Sequence, residues 1–122
     1  MKRMSQLLST KRNLFLDKTA AVSGGAISLA VADNEYYKVT VTGNLTITFT
    51  DFTPGRLSEV MLELVNGGAY AVTFPGVKWV KGDGTYVANA ATAGITFNVS
   101  EKDFILFFSS DGGTNVYAKV IR

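Results

Sequence analysis

The chain contains no cysteine and no histidine. Without cysteine there are no disulfides and no thiol chemistry, and the redox compartment cannot be read. Without histidine the usual zinc sites, the Ser-His-Asp triad and the commonest general base at neutral pH are all removed. Only two prolines stand against twelve glycines, which excludes collagen-like and proline-rich linker sequences. No stretch approaches a membrane span. No secretory signal is expected either, because Lys11 and Arg12 interrupt any apolar run near the start and no small-residue cleavage site follows one.

What remains is a chain of 122 residues, 47% hydrophobic, enough for one domain with one core. Its net charge of +2 hides an asymmetry. Residues 1–22 hold five Lys or Arg against one Asp, a net +4, while the rest hold seven against nine, a net −2. The first segment reads as a basic arm on a mildly acidic body. Its apolar groups are clustered, with Leu14, Phe15 and Leu16 following Lys11 and Arg12. A short helix over Ser5–Arg12 and an extended arm that docks on a neighbour both fit this segment. Ser23-Gly24-Gly25 reads as a hinge. The expected organisation is a basic attachment arm and hinge over 1–25 and a β-sandwich body over 26–122.

The body shows period-2 alternation. From Tyr36 to Thr50, Tyr37, Val39 and Val41 share one face, then Leu45, Ile47 and Phe49 share one face, with Gly43-Asn44 between them. This predicts half-buried antiparallel strands joined by a tight hairpin turn. Strands are expected near 27–32, 36–42, 45–50, 58–65, 69–74, 77–80, 94–99, 103–109 and 114–121. Asn66-Gly67-Gly68 and Asp111-Gly112-Gly113 are read as hairpin turns and 81–93 as a long loop. The expected fold is all-β: a compact antiparallel β-sandwich or jelly-roll-like barrel with an extended N-terminal arm.

One strand breaks the pattern. Phe104, Ile105, Leu106, Phe107 and Phe108 are apolar on both faces. Tyr117 and Ile121 add apolar groups to the outward side of the last strand, opposite Val116, Ala118 and Val120. A strand apolar on both sides must be covered on both, and a chain this small has few layers to do it. A homo-oligomer interface is expected at Phe104, Leu106, Phe107, Phe108 and Tyr117.

The candidates for chemistry are weak. Tyr70, Trp79 and Tyr86 are aromatic groups that could stack on a glycan, although Trp79 in FPGVKWV reads better as a core residue. Asp83, Glu101, Asp103 and Asp111 lie in or beside loops without the dense spacing of a calcium loop, and read as solvated turn residues. No catalytic, cofactor-binding or metal-binding residue is assigned, so no enzyme and no cofactor is expected. The basic arm could meet phosphates, but four net charges on a tail do not make nucleic acid the expected partner. Attachment is assigned instead to Lys11, Arg12, Leu14, Phe15 and Leu16.

Three stretches carry a resemblance: YYKVTVTGNLTITFTDF at 36–52, EVMLELVNGGAYAVTFPGVKWVKGDGT at 59–85 and DFILFFSSDGGTNVYAKVI at 103–121. In this order they resemble a β-rich domain of tailed-bacteriophage virion proteins, found in tail fibres, head fibres and capsid-associated accessory proteins. The resemblance covers about residues 27–122 and leaves out the arm. It implies a non-enzymatic, often trimeric structural protein of the virion. Its partners would be copies of itself and the major capsid protein or another virion protein, with the short chain favouring a capsid-decoration or head-fibre role. It also implies an alternative, a tail-fibre or host-glycan-binding module. No membrane partner is expected.

Overall fold

The computed structural model describes residues 19–22, 25–32 and 36–121. Ten strands are defined among them: β1 Thr19–Val22, β2 Ala26–Ala30, β3 Tyr36–Val41, β4 Leu45–Thr50, β5 Pro54–Val65, β6 Val72–Thr73, β7 Val77–Val80, β8 Tyr86–Val87, β9 Lys102–Asp111 and β10 Val116–Val120. They form a seven-stranded sheet in the order β1-β3-β5-β9-β10-β7-β8 and a three-stranded sheet in the order β2-β4-β6. Thr19–Val22 falls within the segment expected as arm, and pairs in parallel with β3.

The fold is all-β, but it is neither an antiparallel sandwich nor a jelly-roll or barrel. Neither sheet closes on itself. From β1 to β7 the chain alternates between the two sheets, so like strands stack in parallel: β1 on β3, β3 on β5, β2 on β4 and β4 on β6. The expected hairpin at Gly43-Asn44 is therefore an arch. It carries the chain from β3 in one sheet to β4 in the other, and the two strands do not pair. Asn66-Gly67-Gly68 is likewise an arch, from β5 to β6. The alternation of apolar residues is the same in both geometries, because either way one face of each strand meets the core. Asp111-Gly112-Gly113 does close a hairpin: β9 and β10 pair antiparallel, and together they lie between β5 and β7.

The core lies between the sheets. Val39, Val41, Val60, Leu62, Leu64, Ile105 and Phe107 from the large sheet are fully buried, facing Leu29, Leu45 and Ile47 from the small one. Each such side chain contributes about 1.5–3 kcal/mol relative to exposure. Phe107 sits against Phe49 of β4, with ring centroids 4.4 Å apart. Tyr37 is buried, and its hydroxyl donates to the Ala30 carbonyl at 2.5 Å.

Three strands cannot cover seven. Beyond β6 the inner face is covered by the segment after β8, where Ala90, Ala93, Ile95 and Phe97 pack on the core. The strand expected over 94–99 does not form, and the loop expected over 81–93 contains the short β8. The 94–101 stretch is instead stitched to the β5–β6 arch. Asn66, at φ 64°, donates from its side-chain Nδ2 to the Val41 carbonyl and accepts at Oδ1 from the Ser100 backbone amide at 2.9 Å. Gly68 donates to the Asn98 carbonyl, and a Cβ there would stand 2.1 Å from the Phe97 carbonyl oxygen. This approach sets Phe97 6.0 Å from the Trp79 ring.

Candidate functional site

Among the described residues, none covers the side of the seven-stranded sheet away from the core. Register places its residues in rows across the strands. One row reads Glu59, Phe108, Tyr117, Lys78 over β5, β9, β10 and β7. The next reads Tyr36, Met61, Leu106, Lys119 over β3, β5, β9 and β10. A third holds Lys38, Glu63 and Phe104, with Ile121 donating its amide to the Phe104 carbonyl at 2.8 Å. Strand pairing sets the place of each row, so the backbone register decides which side chains share the face.

Aromatic groups dominate the first row. The Phe108 and Tyr117 rings stack at 5.6 Å, and Tyr86 of β8 leans on Tyr117 at 4.9 Å. Lys78 Nζ lies 5.8 Å from the Tyr117 ring centroid and donates to Asn115 Oδ1 at 2.7 Å. Phe104, Tyr86 and Ile121 are exposed, at 38%, 56% and 51%. Met61, Leu106, Phe108 and Tyr117 are half-buried by one another.

The third row contains a buried charge that alternation alone does not announce. Glu63 is only 5% exposed although it points away from the core. The Tyr36 hydroxyl donates to its Oε1, and its Oε2 lies 3.3 Å from Lys102 Nζ and 3.9 Å from Lys38 Nζ. Burial pushes this carboxyl up, but the Tyr36 hydroxyl and the two lysines more than offset it, leaving its pKa below the ordinary value. The cluster of Lys38, Glu63 and Lys102 was readable in sequence only with the parallel β3–β5 register in hand.

The residues assigned to an interface are brought together in part. Phe104, Leu106, Phe108 and Tyr117 lie on this outer face. Phe107 does not: it is fully buried between the sheets, within 5.2 Å of Phe74 and 6.1 Å of Trp79 ring to ring. The arm residues Lys11, Arg12, Leu14, Phe15 and Leu16 lie outside the described residues.

The three aromatics assigned to glycan contact are separated. Tyr86 belongs to the outer face. Tyr70 and Trp79 line a cleft of about 430 Å³ on the other side, with Thr73, Phe74, Asn89 and Phe97. Tyr70 is exposed, while Trp79 is 2% exposed and forms the floor, edge-on to Phe74 at 5.5 Å. Trp79 is thus a core residue, as its context suggested.

The acidic candidates do not converge. Among the described residues no three Asp or Glu side chains are grouped to hold a metal ion. Asp83 accepts from the Thr85 amide and hydroxyl, and Asp111 accepts from the Asn115 amide, each a turn device that lowers its own pKa. Asp103 departs from the expectation of a solvated turn residue. It is buried at the start of β9 and accepts from the Asn98 amide at 2.7 Å and from the Asn98 side chain at 3.0 Å. Compared with protein-family models, curated proteins and solved structures, the chain matches none.

Proposed function

We propose that this protein is a non-enzymatic structural protein of a bacteriophage particle, of capsid-decoration or head-fibre type. In this reading it assembles as a homotrimer through the outer face of its seven-stranded sheet. The N-terminal arm attaches the assembly to the major capsid protein or another virion protein.

One observation carries the reading: the face bearing Phe108, Tyr117, Tyr86, Leu106, Met61 and Phe104 has no cover among the described residues. Parallel pairing as in β1-β3-β5 normally goes with sheets covered on both sides. Seven strands span roughly 29 Å at the usual strand spacing. With three rows of side chains roughly 7 Å apart, the face offers up to roughly 600 Å² of flat area, against the ~800 Å² that each partner gives to a standard-size interface. Burying its apolar part at about 25 cal/mol per Å² favours association. The virion assignment itself is supported by the resemblance in the three β stretches.

Light scattering at micromolar concentration tests the assembly: a trimer mass is expected, and a monomer refutes it. Mass spectrometry of purified particles tests the location, where a fixed copy number is expected and absence refutes it. Removing residues 1–18, which precede β1, should abolish particle binding and leave the assembly intact.

A second reading, a host-glycan-binding module, is favoured by the exposed Tyr70 at the mouth of the cleft with Asn89 beside it. Aromatic stacking with amide donors is a common way to hold a sugar ring. Glycan-array binding that Tyr70→Ala removes would support this reading, and a blank array would end it.

A further inference from the structure

The charges on the outer face are not scattered. In the first row the acid stands on β5, the third of the seven strands, and the lysine on β7, the sixth, with Phe108 and Tyr117 between them. Glu59 is exposed, and no salt bridge holds it among the described residues. Lys78 is exposed and is held by neutral groups only, the Asn115 amide oxygen and the Tyr117 ring. By contrast, the acid in the third row, Glu63, is neutralised within its own chain by two lysines. Among the described residues the face therefore presents one unpaired acid, Glu59, and one unpaired base at the same height, Lys78, on opposite sides of the aromatic pair, with a second unpaired base, Lys119, one row away.

The second row places apolar groups on both sides of Leu106 and the exposed Lys119. Tyr36 and Met61 lie on the β3 and β5 side. On the other side are Val80 and Tyr86, which face each other in the β7–β8 pairing. Each side thus carries an apolar pair in the second row, and an opposite charge in the first.

We propose that copies of this chain associate about an axis parallel to the strands of the seven-stranded sheet, so that Glu59 of one copy pairs with the partner's Lys78. This rests on the self-association reading above and specifies its geometry. An axis along the strands keeps each row at its own height and turns the β1-β3-β5 side of one copy toward the β7-β8 side of the next. Acid then meets lysine, and Tyr36 and Met61 meet Val80 and Tyr86. A trimer with its outer faces turned inward satisfies this at every corner. A two-fold axis across the strands would set Glu59 against Glu59 and Lys78 against Lys78, and like charges across an interface are strongly disfavoured. The occupant of the face is a second copy because both halves of the charge pair lie on one chain, which is self-complementarity of the kind that closed assemblies require.

The test is a charge exchange on the full chain, read by sedimentation velocity over a concentration series at low and high salt. Glu59→Lys and Lys78→Glu should each weaken association by about ten-fold or more, the scale of close interfacial charge pairs. The double variant should restore most of the wild-type affinity. Far-ultraviolet circular dichroism and thermal melting of the monomeric fraction should be unchanged, since both positions are exposed. Single variants that associate like the wild type, or a double variant no better than the weaker single, would overturn the pairing while leaving the self-association reading standing. A wild-type chain that stays monomeric would overturn both.

Discussion

Phe107 and Phe108 are neighbours with opposite environments, and replacing each by alanine separates folding from assembly. Phe107 is fully buried and touches three rings, Phe49 at 4.4 Å, Phe74 at 5.2 Å and Trp79 at 6.1 Å. Those partners belong to both sheets and to the connection between β6 and β7, so the site cannot collapse easily around a cavity. Phe107→Ala should cost about 3–5 kcal/mol. With a urea slope of about 1–1.5 kcal/mol/M for a chain of this size, the unfolding midpoint should fall by roughly 2–5 M. Phe108 is half-buried on the outer face and stacks on Tyr117 at 5.6 Å. Phe108→Ala should cost the monomer about 1 kcal/mol, mostly that ring contact, and move the midpoint by less than about 1 M. Its effect should appear in association. Because assembly adds to apparent stability by mass action, the comparison is made at concentrations where wild type and variants are all monomeric. The reasoning is refuted if Phe108→Ala costs the monomer more than Phe107→Ala, or if Phe107→Ala costs less than about 1 kcal/mol, well under the usual loss for a buried phenylalanine.

Three further outcomes follow from particular contacts. Glu63→Gln should cost about 1 kcal/mol at neutral pH, discounted because Lys102 is half exposed. Since the Glu63 carboxyl lies below its ordinary value of 4.5, its contribution is present above that value and lost as pH falls through the lowered one. The stability gap between wild type and Glu63→Gln should therefore close in acid, and a gap unchanged from pH 7 to pH 3 contradicts the cluster. Asn66→Ala should cost about 2–3 kcal/mol by denaturant titration, from two lost hydrogen bonds and a left-handed backbone, with Asn66→Gly losing less. Gly68→Ala meets backbone at 2.1 Å, so it should cost about 2 kcal/mol or more and move Phe97 off the single tryptophan, Trp79; an unaltered fluorescence spectrum would contradict that geometry.

Facing was legible in the sequence, and pairing was not. Tyr37, Val39, Val41, Leu45 and Ile47 are buried as their alternation demanded. The same alternation is produced by a hairpin and by an arch, so nothing local could tell β3–β4 pairing from β3–β5 stacking. Gly-containing turns marked where the chain reverses without saying into which sheet it goes. The segment 94–99 looked like a strand because Ile95 and Phe97 alternate with polar residues. Its backbone is instead engaged by the β5–β6 arch through Asn66 and Gly68, partners about thirty residues away in sequence. The aromatic outer face was anticipated from Phe104–Phe108, but the Glu63 cluster within it depends on a register no spacing rule supplies.

A strand apolar on both faces poses a problem of its own, because its register is weakly specified by hydrophobicity. Slipping β9 by one residue would carry Phe108 into the core and Phe107 to the surface, with an aromatic group still on each side. What opposes the slip is polar and lies at the two ends. Asp103 and Ser109 are both buried on the inner face. Asp103 is satisfied by Asn98, and Ser109 accepts from the Gly113 amide at 3.0 Å and donates to Asp111 at 2.9 Å. A one-residue shift would turn both groups to the outer face, and put Lys102 or Phe104 in the place of Asp103 and Phe108 or Ser110 in that of Ser109. Burying Lys102 or Ser110 unpaired costs more than exchanging one phenylalanine for another. The side chains that decide which aromatic row a partner would meet are thus two that never reach that face.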